Sequence, residues 1–164
     1  MSGGLGTTSS ANVGAYNLTD TSQGTLILAN GPSGANQGLA SNYTLTGGTQ
    51  DYTITQRVLN SSGSKTYDAN TNALAADITL SNLVSGETLN HSGTASISSA
   101  NAASYTITNL AGITLADNAG LASNYTLTGG THNFTVNPKV ISLSGSRLYD
   151  ATTDAVASDL TTIS

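Results

Sequence analysis

The 164-residue chain has no cysteine, which excludes a disulfide framework and any cysteine-based metal site and is compatible with export. Basic residues are nearly as scarce. Arg57, Lys65, Lys139 and Arg147 face nine acids, for a net charge of −5. A surface so poor in cations repels nucleic acid and anionic lipid, both of which are recognised through basic footprints. Charged residues make up only 8% of the chain, against about 25% in ordinary soluble domains, and Ser, Thr, Asn and Gly take their place. No stretch approaches the ~18 apolar residues of a membrane helix. Met1-Ser2-Gly3-Gly4 has neither a basic n-region nor an apolar h-region, so any export signal is expected outside this sequence.

Signatures of catalysis are also missing. No nucleophile elbow, phosphate loop or dinucleotide fingerprint occurs. His91 and His132 are the only histidines, neither at metal-ligand spacing, and both read as solvent-exposed loop or strand-face residues. Glu87 is the sole glutamate, and no carboxylate pair stands out for acid/base work. An enzyme is the least favoured reading, and no cofactor is implied.

What the chain has is repetition. Ser41-Asn42-Tyr43-Thr44-Leu45-Thr46-Gly47-Gly48-Thr49 recurs letter for letter at Ser123–Thr131, 82 positions later. At the same spacing Gly63-Ser64-Lys65-Thr66-Tyr67-Asp68-Ala69 matches Gly145-Ser146-Arg147-Leu148-Tyr149-Asp150-Ala151. A fixed period implies serially stacked modules, and a chain that copies a module needs length, valency or a filament rather than one pocket.

Within the module, apolar residues alternate with hydroxyl residues: Tyr43-Thr44-Leu45-Thr46, Tyr52-Thr53-Ile54-Thr55, Tyr105-Thr106-Ile107-Thr108 and Phe134-Thr135-Val136. Period two predicts half-buried strands with Thr on the wet face. Only Ala73–Asp77 suggests a helical turn. Gly47-Gly48 and Gly129-Gly130 read as hairpin connections, and Asn60-Ser61-Ser62-Gly63 and Ser85-Gly86 as further turns. The expected fold is all-β: tandem sandwich-like modules of ~82 residues, Ig-like or β-grasp-like, with six to eight strands each, in an elongated array. A solenoid of short coils would need self-similarity inside the module, and none is visible.

The repeat phase places one complete module at 56–137, flanked by the C-terminal part of a module at 1–55 and the N-terminal part of another at 138–164. Upstream matches run at offsets of 89 and then 87 before settling at 82, so the first copy carries a longer loop around Gly31–Asn36. Neither flanking fragment buries much of a core alone. In a longer chain each belongs to a neighbouring whole module; in isolation the tail of one molecule is expected to complete the head of another by strand donation.

Lys65/Tyr67/Asp68 and Arg147/Tyr149/Asp150 form the best candidate motif, with Asn42/Tyr43 and Asn124/Tyr125 as the second repeated pair. The structural reading packs Tyr67 and Tyr149 inward while Asp68 and Asp150 cap turns. Asp68-x-Asn70-x-Asn72 resembles the start of a calcium loop but lacks its glycine and closing Glu, so no metal ligand is assigned. Lys65 aligns with Arg147 and Lys139 with Arg57. Arginine cannot form an isopeptide, so the position asks for a cation rather than a nucleophile. Asn-x-Ser/Thr sequons at Asn17, Asn42, Asn60, Asn90, Asn124 and Asn133 are mostly expected by chance in this composition.

At these residues the chain resembles the YDG-type tandem repeats of large filamentous-haemagglutinin-like bacterial surface adhesins. The resemblance rests on Lys65-Thr66-Tyr67-Asp68-Ala69, Asn12-Val13-Gly14, Asn124-Tyr125-Thr126-Leu127 and Phe134-Thr135-Val136-Asn137-Pro138-Lys139. Ala69 and Ala151 stand where the pattern has Gly, and Gln56-Arg57 where it has Pro-Lys. The resemblance implies a stalk, spacer or fibre-forming region of a secreted or cell-surface adhesin, and it brings no catalytic residue. The expected partners are neighbouring modules or other copies of the chain, with no membrane insertion. The alternative is an adhesive module that binds glycan or host protein through the Asn30–Gly38 loop.

Overall fold

The structure is a computed structural model that describes residues 3–18, 24–34 and 37–163, with backbone alone at 161–163. Its strands are β1 (Gly14–Asn17), β2 (Asp51–Ile54), β3 (Arg57–Val58), β4 (Asn60–Thr66), β5 (Asn72–Leu74), β6 (Ile78–Ser81) and β7 (Asn90–Ser96). They continue as β8 (Ala103–Thr106), β9 (Ile113–Ala116), β10 (Tyr125–Thr126), β11 (His132–Asn137), β12 (Leu143–Gly145) and β13 (Leu160–Ile163). Among the described residues, helix is confined to 3₁₀ turns at Ala40–Asn42, Ala75–Asp77, Ala122–Asn124 and Ala157–Asp159. The chain is mostly β, in several small sheets. Among the described residues no helix is long and apolar enough to cross a membrane.

The backbone divides into two compact units. One comprises Met1–Leu59, Leu83–Asn90 and Ala116–Gly129, the other Asn60–Asn82, His91–Leu115 and Gly130–Ser164. In the second unit a four-stranded sheet runs β6-β4-β11-β8. Its central pair, β4 and β11, is parallel, with His132 opposite Ser61, Phe134 opposite Gly63 and Asn137 opposite Thr66. The outer strands β6 and β8 run antiparallel to their neighbours. Strands β5-β7-β9 form a three-stranded sheet, and β12-β13 a two-stranded one.

Alternation along β11 sends His132, Phe134 and Val136 inward and leaves Asn133 and Asn137 exposed. With Ile78, Ala73, Ala95, Ile97, Ile107 and Ile113 they make the core of this unit. Phe134 and Val136 are fully buried, which contributes about 1.5–3 kcal/mol each relative to exposure. The ring of Phe134 lies over Gly63. A Cβ there would sit 2.9 Å from the ring and 2.3 Å from the Asp77 carbonyl oxygen, so only glycine fits.

In the first unit β1 pairs antiparallel with β2, and β3 pairs parallel with β10. Leu59, at 0% exposure, continues the second pairing by donating its N–H to the Thr126 carbonyl at 2.8 Å. Among the described residues Leu89 and Tyr125 are the other buried side chains of this unit.

Several local expectations are corrected. Asn60-Ser61-Ser62-Gly63, expected as a turn, is the start of central strand β4. Parallel and antiparallel partners on its two sides supply the backbone bonds, and the Ser61 hydroxyl meets His132 across the ladder. Gly129-Gly130 is not a hairpin connection, because β10 pairs with β3 while β11 pairs with β4 and β8. The identical nonapeptides also differ: Tyr125-Thr126 is a strand beside Arg57-Val58, whereas Tyr43–Thr46 is not a strand. Nine strands, not six to eight, lie between Arg57 and Asn137. The helical turn near Ala73 is a single 3₁₀ turn at Ala75–Asp77, entered from strand β5.

Where the sequence repeats, local geometry repeats with it. The pair β1/β2 matches Asn17 with Asp51 and Gly14 with Ile54, and β8/β11 matches Thr106 with Asn133 and Ala103 with Val136, position for position. The Tyr16 hydroxyl donates to the Asn12 carbonyl at 2.6 Å, and that of Tyr105 to the Asn101 carbonyl at 2.7 Å. Asn30 Oδ1 caps the 3₁₀ turn at Ala40, as Asp117 Oδ1 caps that at Ala122, each at 2.7 Å. The extra residues of the first copy therefore sit between the cap and the turn. Of that longer loop, Ala35 and Asn36 lie outside the described residues.

Candidate functional site

The turn after β4 is built around a lysine. Asp68 Oδ1 accepts the Asn70 N–H at 3.1 Å, closing an Asx turn, and Asn70 Oδ1 does the same for the Asn72 N–H at 2.9 Å. These turns gather oxygens in a ring, and the Lys65 ammonium fills it. Nζ donates to Asn70 O, Asn70 Oδ1 and Asn72 O, each at 2.8 Å, and pairs with Asp68 Oδ1 at 2.9 Å. The Lys65 side chain is only 8% exposed. A nearly buried ammonium persists only when its protons are satisfied, and here all three have acceptors.

Hydrogen bonds from Lys65, then from the Asn70 backbone, hold the Asp68 carboxyl below the usual carboxylate range. The oxygens that resemble a calcium loop are thus spent on a cation supplied by the chain itself. Among the described residues no cluster of three or more acidic or histidine side chains is poised for a metal.

The second copy repeats the device with arginine. Arg147 Nη1 donates to both Asp150 oxygens, at 2.9 and 2.8 Å, and the guanidinium also donates to Thr152 Oγ1 and to the Thr152 carbonyl. Asp150 Oδ1 accepts the Thr152 N–H at 3.0 Å. Ala69 and Ala151 adopt left-handed backbones, with φ of 64° and 58°. This is the conformation that a Gly at the same position takes without strain, so the turn survives the replacement.

Asp68 and Asp150 cap their turns as expected, but the inward tyrosines are corrected. Tyr67 is exposed, and Tyr149 is 94% exposed. The backbone, not the ring, carries Tyr67 in the structure: its N–H donates to the Asn137 carbonyl at 2.8 Å.

The Asn-Tyr pairs diverge in role. Tyr125 is 3% exposed; its hydroxyl donates to Glu87 Oε2 and accepts the Val84 N–H at 3.2 Å. The bond to Glu87, then burial, pushes the Tyr125 phenol up. Asn124 Oδ1 accepts the Val13 N–H at 2.8 Å, and its amide donates to Asn12 Oδ1 at 2.9 Å. Their counterparts Asn42 and Tyr43 are exposed, Tyr43 at 67%.

His91 is a partly exposed strand-face residue of β7, as expected, whereas His132 departs from expectation. His132 is buried, with Nδ1 2.9 Å from Ser61 Oγ across the parallel pair. His91 Nε2–H donates to the carbonyls of Ala75 and Ile78, at 3.1 and 3.0 Å. A Ser–His contact invites a catalytic reading, but both side chains are shut inside the sheet, where the bond satisfies two buried polar groups. Sequence reasoning missed this pair because its members lie 71 residues apart.

The described part of the Asn30–Gly38 loop is held by hydrogen bonds of its own. Gly31 and Gly38 share a backbone bond of 2.8 Å, and the Gln37 amide reaches the Gly31 carbonyl at 3.0 Å. A cavity of about 800 Å³ in the first unit opens beside β2, with Leu5, Leu18, Leu26, Leu45, Tyr52 and Ile54 on its wall.

A YDG domain is found at residues 53–133. No curated protein and no solved structure matches the chain.

Proposed function

We propose that this chain is a structural repeat region, a stalk, spacer or fibre-forming segment, of an exported bacterial adhesin or extracellular filament. In this reading its unit is a sandwich-like β module of ~82 residues, Ig-like or β-grasp-like, used in an elongated array at the cell surface. The observation that carries the reading is that the chain copies geometry along with sequence. β1/β2 and β8/β11 share one register, and two cation-centred turns, on Lys65 and on Arg147, share one design.

Copying a module serves length and valency. The groups that chemistry would recruit are used internally instead: Lys65 and Asp68 on each other, Ser61 on His132, Tyr125 on Glu87. This supports a non-catalytic role. The YDG domain, with the motif resemblance to filamentous-haemagglutinin-like adhesins, points to export. The partners in this reading are neighbouring modules and other copies of the chain.

Antibody labelling of intact producing cells, with and without deletion of 56–137, tests the proposal. It expects labelling without lysis, and adhesion that keeps its ligand specificity when the module is removed. Labelling only after lysis contradicts it. Loss of ligand specificity on deletion, with the purified chain binding glycan or host protein directly, replaces it with the adhesive-module reading.

A further inference from the structure

The four-stranded sheet of the second unit supplies a template for both ends of the chain. In it, β4/β6 form one half and β11/β8 the other, joined through the parallel β4–β11 pair. The pair β2/β1 repeats the β11/β8 half in register, but among the described residues no strand pairs with the other edge of β2. The pair β12/β13 repeats the β4/β6 half: Gly145 faces Leu160 as Gly63 faces Ile78, with a one-residue bulge beyond. Among the described residues no strand pairs with the other edge of β12 either. Each half lacks what the other is.

Side chains tell the same story. Leu59 and Ile78 are buried, whereas Ile141 and Leu160, 82 positions on, are 56% and 38% exposed. Phe134 is buried over Gly63, whereas Tyr52, its counterpart, stands half-exposed beside the 800 Å³ cavity. Gly145 keeps the glycine of the template, and the nearest neighbours of a Cβ there are backbone atoms of Asp159 and Leu160, not a ring as at Gly63.

We propose that a second copy of this chain docks its β2 edge on β12, completing a four-stranded sheet β13-β12-β2-β1 across two molecules. The register follows from the template. Asp51 of the second copy lies opposite Ser144, Tyr52 opposite Gly145 and Thr53 opposite Ser146, the strands parallel. The Tyr52 ring then covers Gly145 as the Phe134 ring covers Gly63. Exposed apolar residues of the C-terminal half, Ile141 and Leu143 among them, fill the cavity beside β2. Two complementary surfaces on one chain make a heterologous contact, which propagates head to tail instead of closing as a two-fold dimer. The inference rests on the structural-module reading and deepens it by naming the partner; the two fail separately, because a spacer can act as a monomer.

Since the chain has no cysteine, single replacements report directly. Mixing Asp51→Cys chains with Ser144→Cys chains under mild oxidation is expected to give a disulfide-linked dimer. The yield is expected to be about tenfold above that from Asp51→Cys with Ser146→Cys, where the Cα atoms are roughly 8 Å apart and beyond the ~7 Å that a disulfide spans. In sedimentation the unmodified chain is expected to grow beyond its 16.4 kDa monomer mass with concentration, and Tyr52→Asp to remain monomeric with unchanged circular dichroism. A monomer at every concentration, or equal dimer yields from the two mixtures, overturns the proposal. Either result leaves the surface-labelling test of the module reading unaffected.

Discussion

Ala69 and Ala151 occupy left-handed backbone that costs an L-residue about 1–2 kcal/mol and a glycine almost nothing. Ala69→Gly is therefore expected to stabilise the protein by about 1 kcal/mol, since relief of the clash outweighs the added freedom of the unfolded chain. A urea titration of the two proteins checks this; an unchanged or lower midpoint contradicts it. Lys65→Met removes the cation and leaves the carbonyls of Asn70 and Asn72 facing a methyl group. The expected cost is about 1–3 kcal/mol. Lys65→Arg should recover most of it, because Arg147 performs the same task in the other copy.

Asp68 also sets a pH dependence. Its folded carboxyl titrates below the unfolded value, so the unfolded state binds the proton more readily as pH falls. Its contribution is complete above about pH 4, the unfolded carboxylate range, and is lost as pH drops through the depressed folded value. Urea midpoints of wild type and Asp68→Asn should differ at pH 7 and converge in acid. At this scale the sequence was legible wherever a side chain bonds its own neighbours: the Asx turns at Asp68 and Asp150 span two residues. The exposure of Tyr67 and Tyr149 was not, because burial depends on what packs above a ring.

At the scale of elements, β4 and β11 show what alternation conveys and what it hides. Phe134-Thr135-Val136 reads as a strand because its inward residues are apolar. Asn60-Ser61-Ser62-Gly63 has no apolar alternation and reads as a turn, yet it opens central strand β4, since its inward Ser61 meets a polar partner in His132. That partner is distant in sequence, so local pattern carries no trace of it. Gly63 shows the same dependence: Gly63→Ala is expected to cost on the order of 3 kcal/mol by driving a methyl into the Asp77 carbonyl and the Phe134 ring. Tyr125→Phe leaves the Val84 N–H without its acceptor and Glu87 without its donor, at an expected cost of about 1–3 kcal/mol. Thermal unfolding of the two variants checks both magnitudes.

At the scale of the whole molecule, the all-β character and the period were legible because they rest on residues that recur at fixed offsets. Which strands join into one sheet was not, because identical nonapeptides form a strand at Tyr125-Thr126 and none at Tyr43-Thr44. Context decides: Arg57-Val58 lies beside one of them. The account's central claim is that about eighty residues are a self-consistent building block that adds length. Inserting a second copy of 56–137 directly after Asn137 tests it most directly, with small-angle scattering and circular dichroism on both chains. The account predicts unchanged β signal per residue and a maximum dimension longer by on the order of 30 Å, set by a module radius of gyration of about 12 Å. An inserted copy that stays unfolded, or a particle that grows equally in all directions, would contradict it.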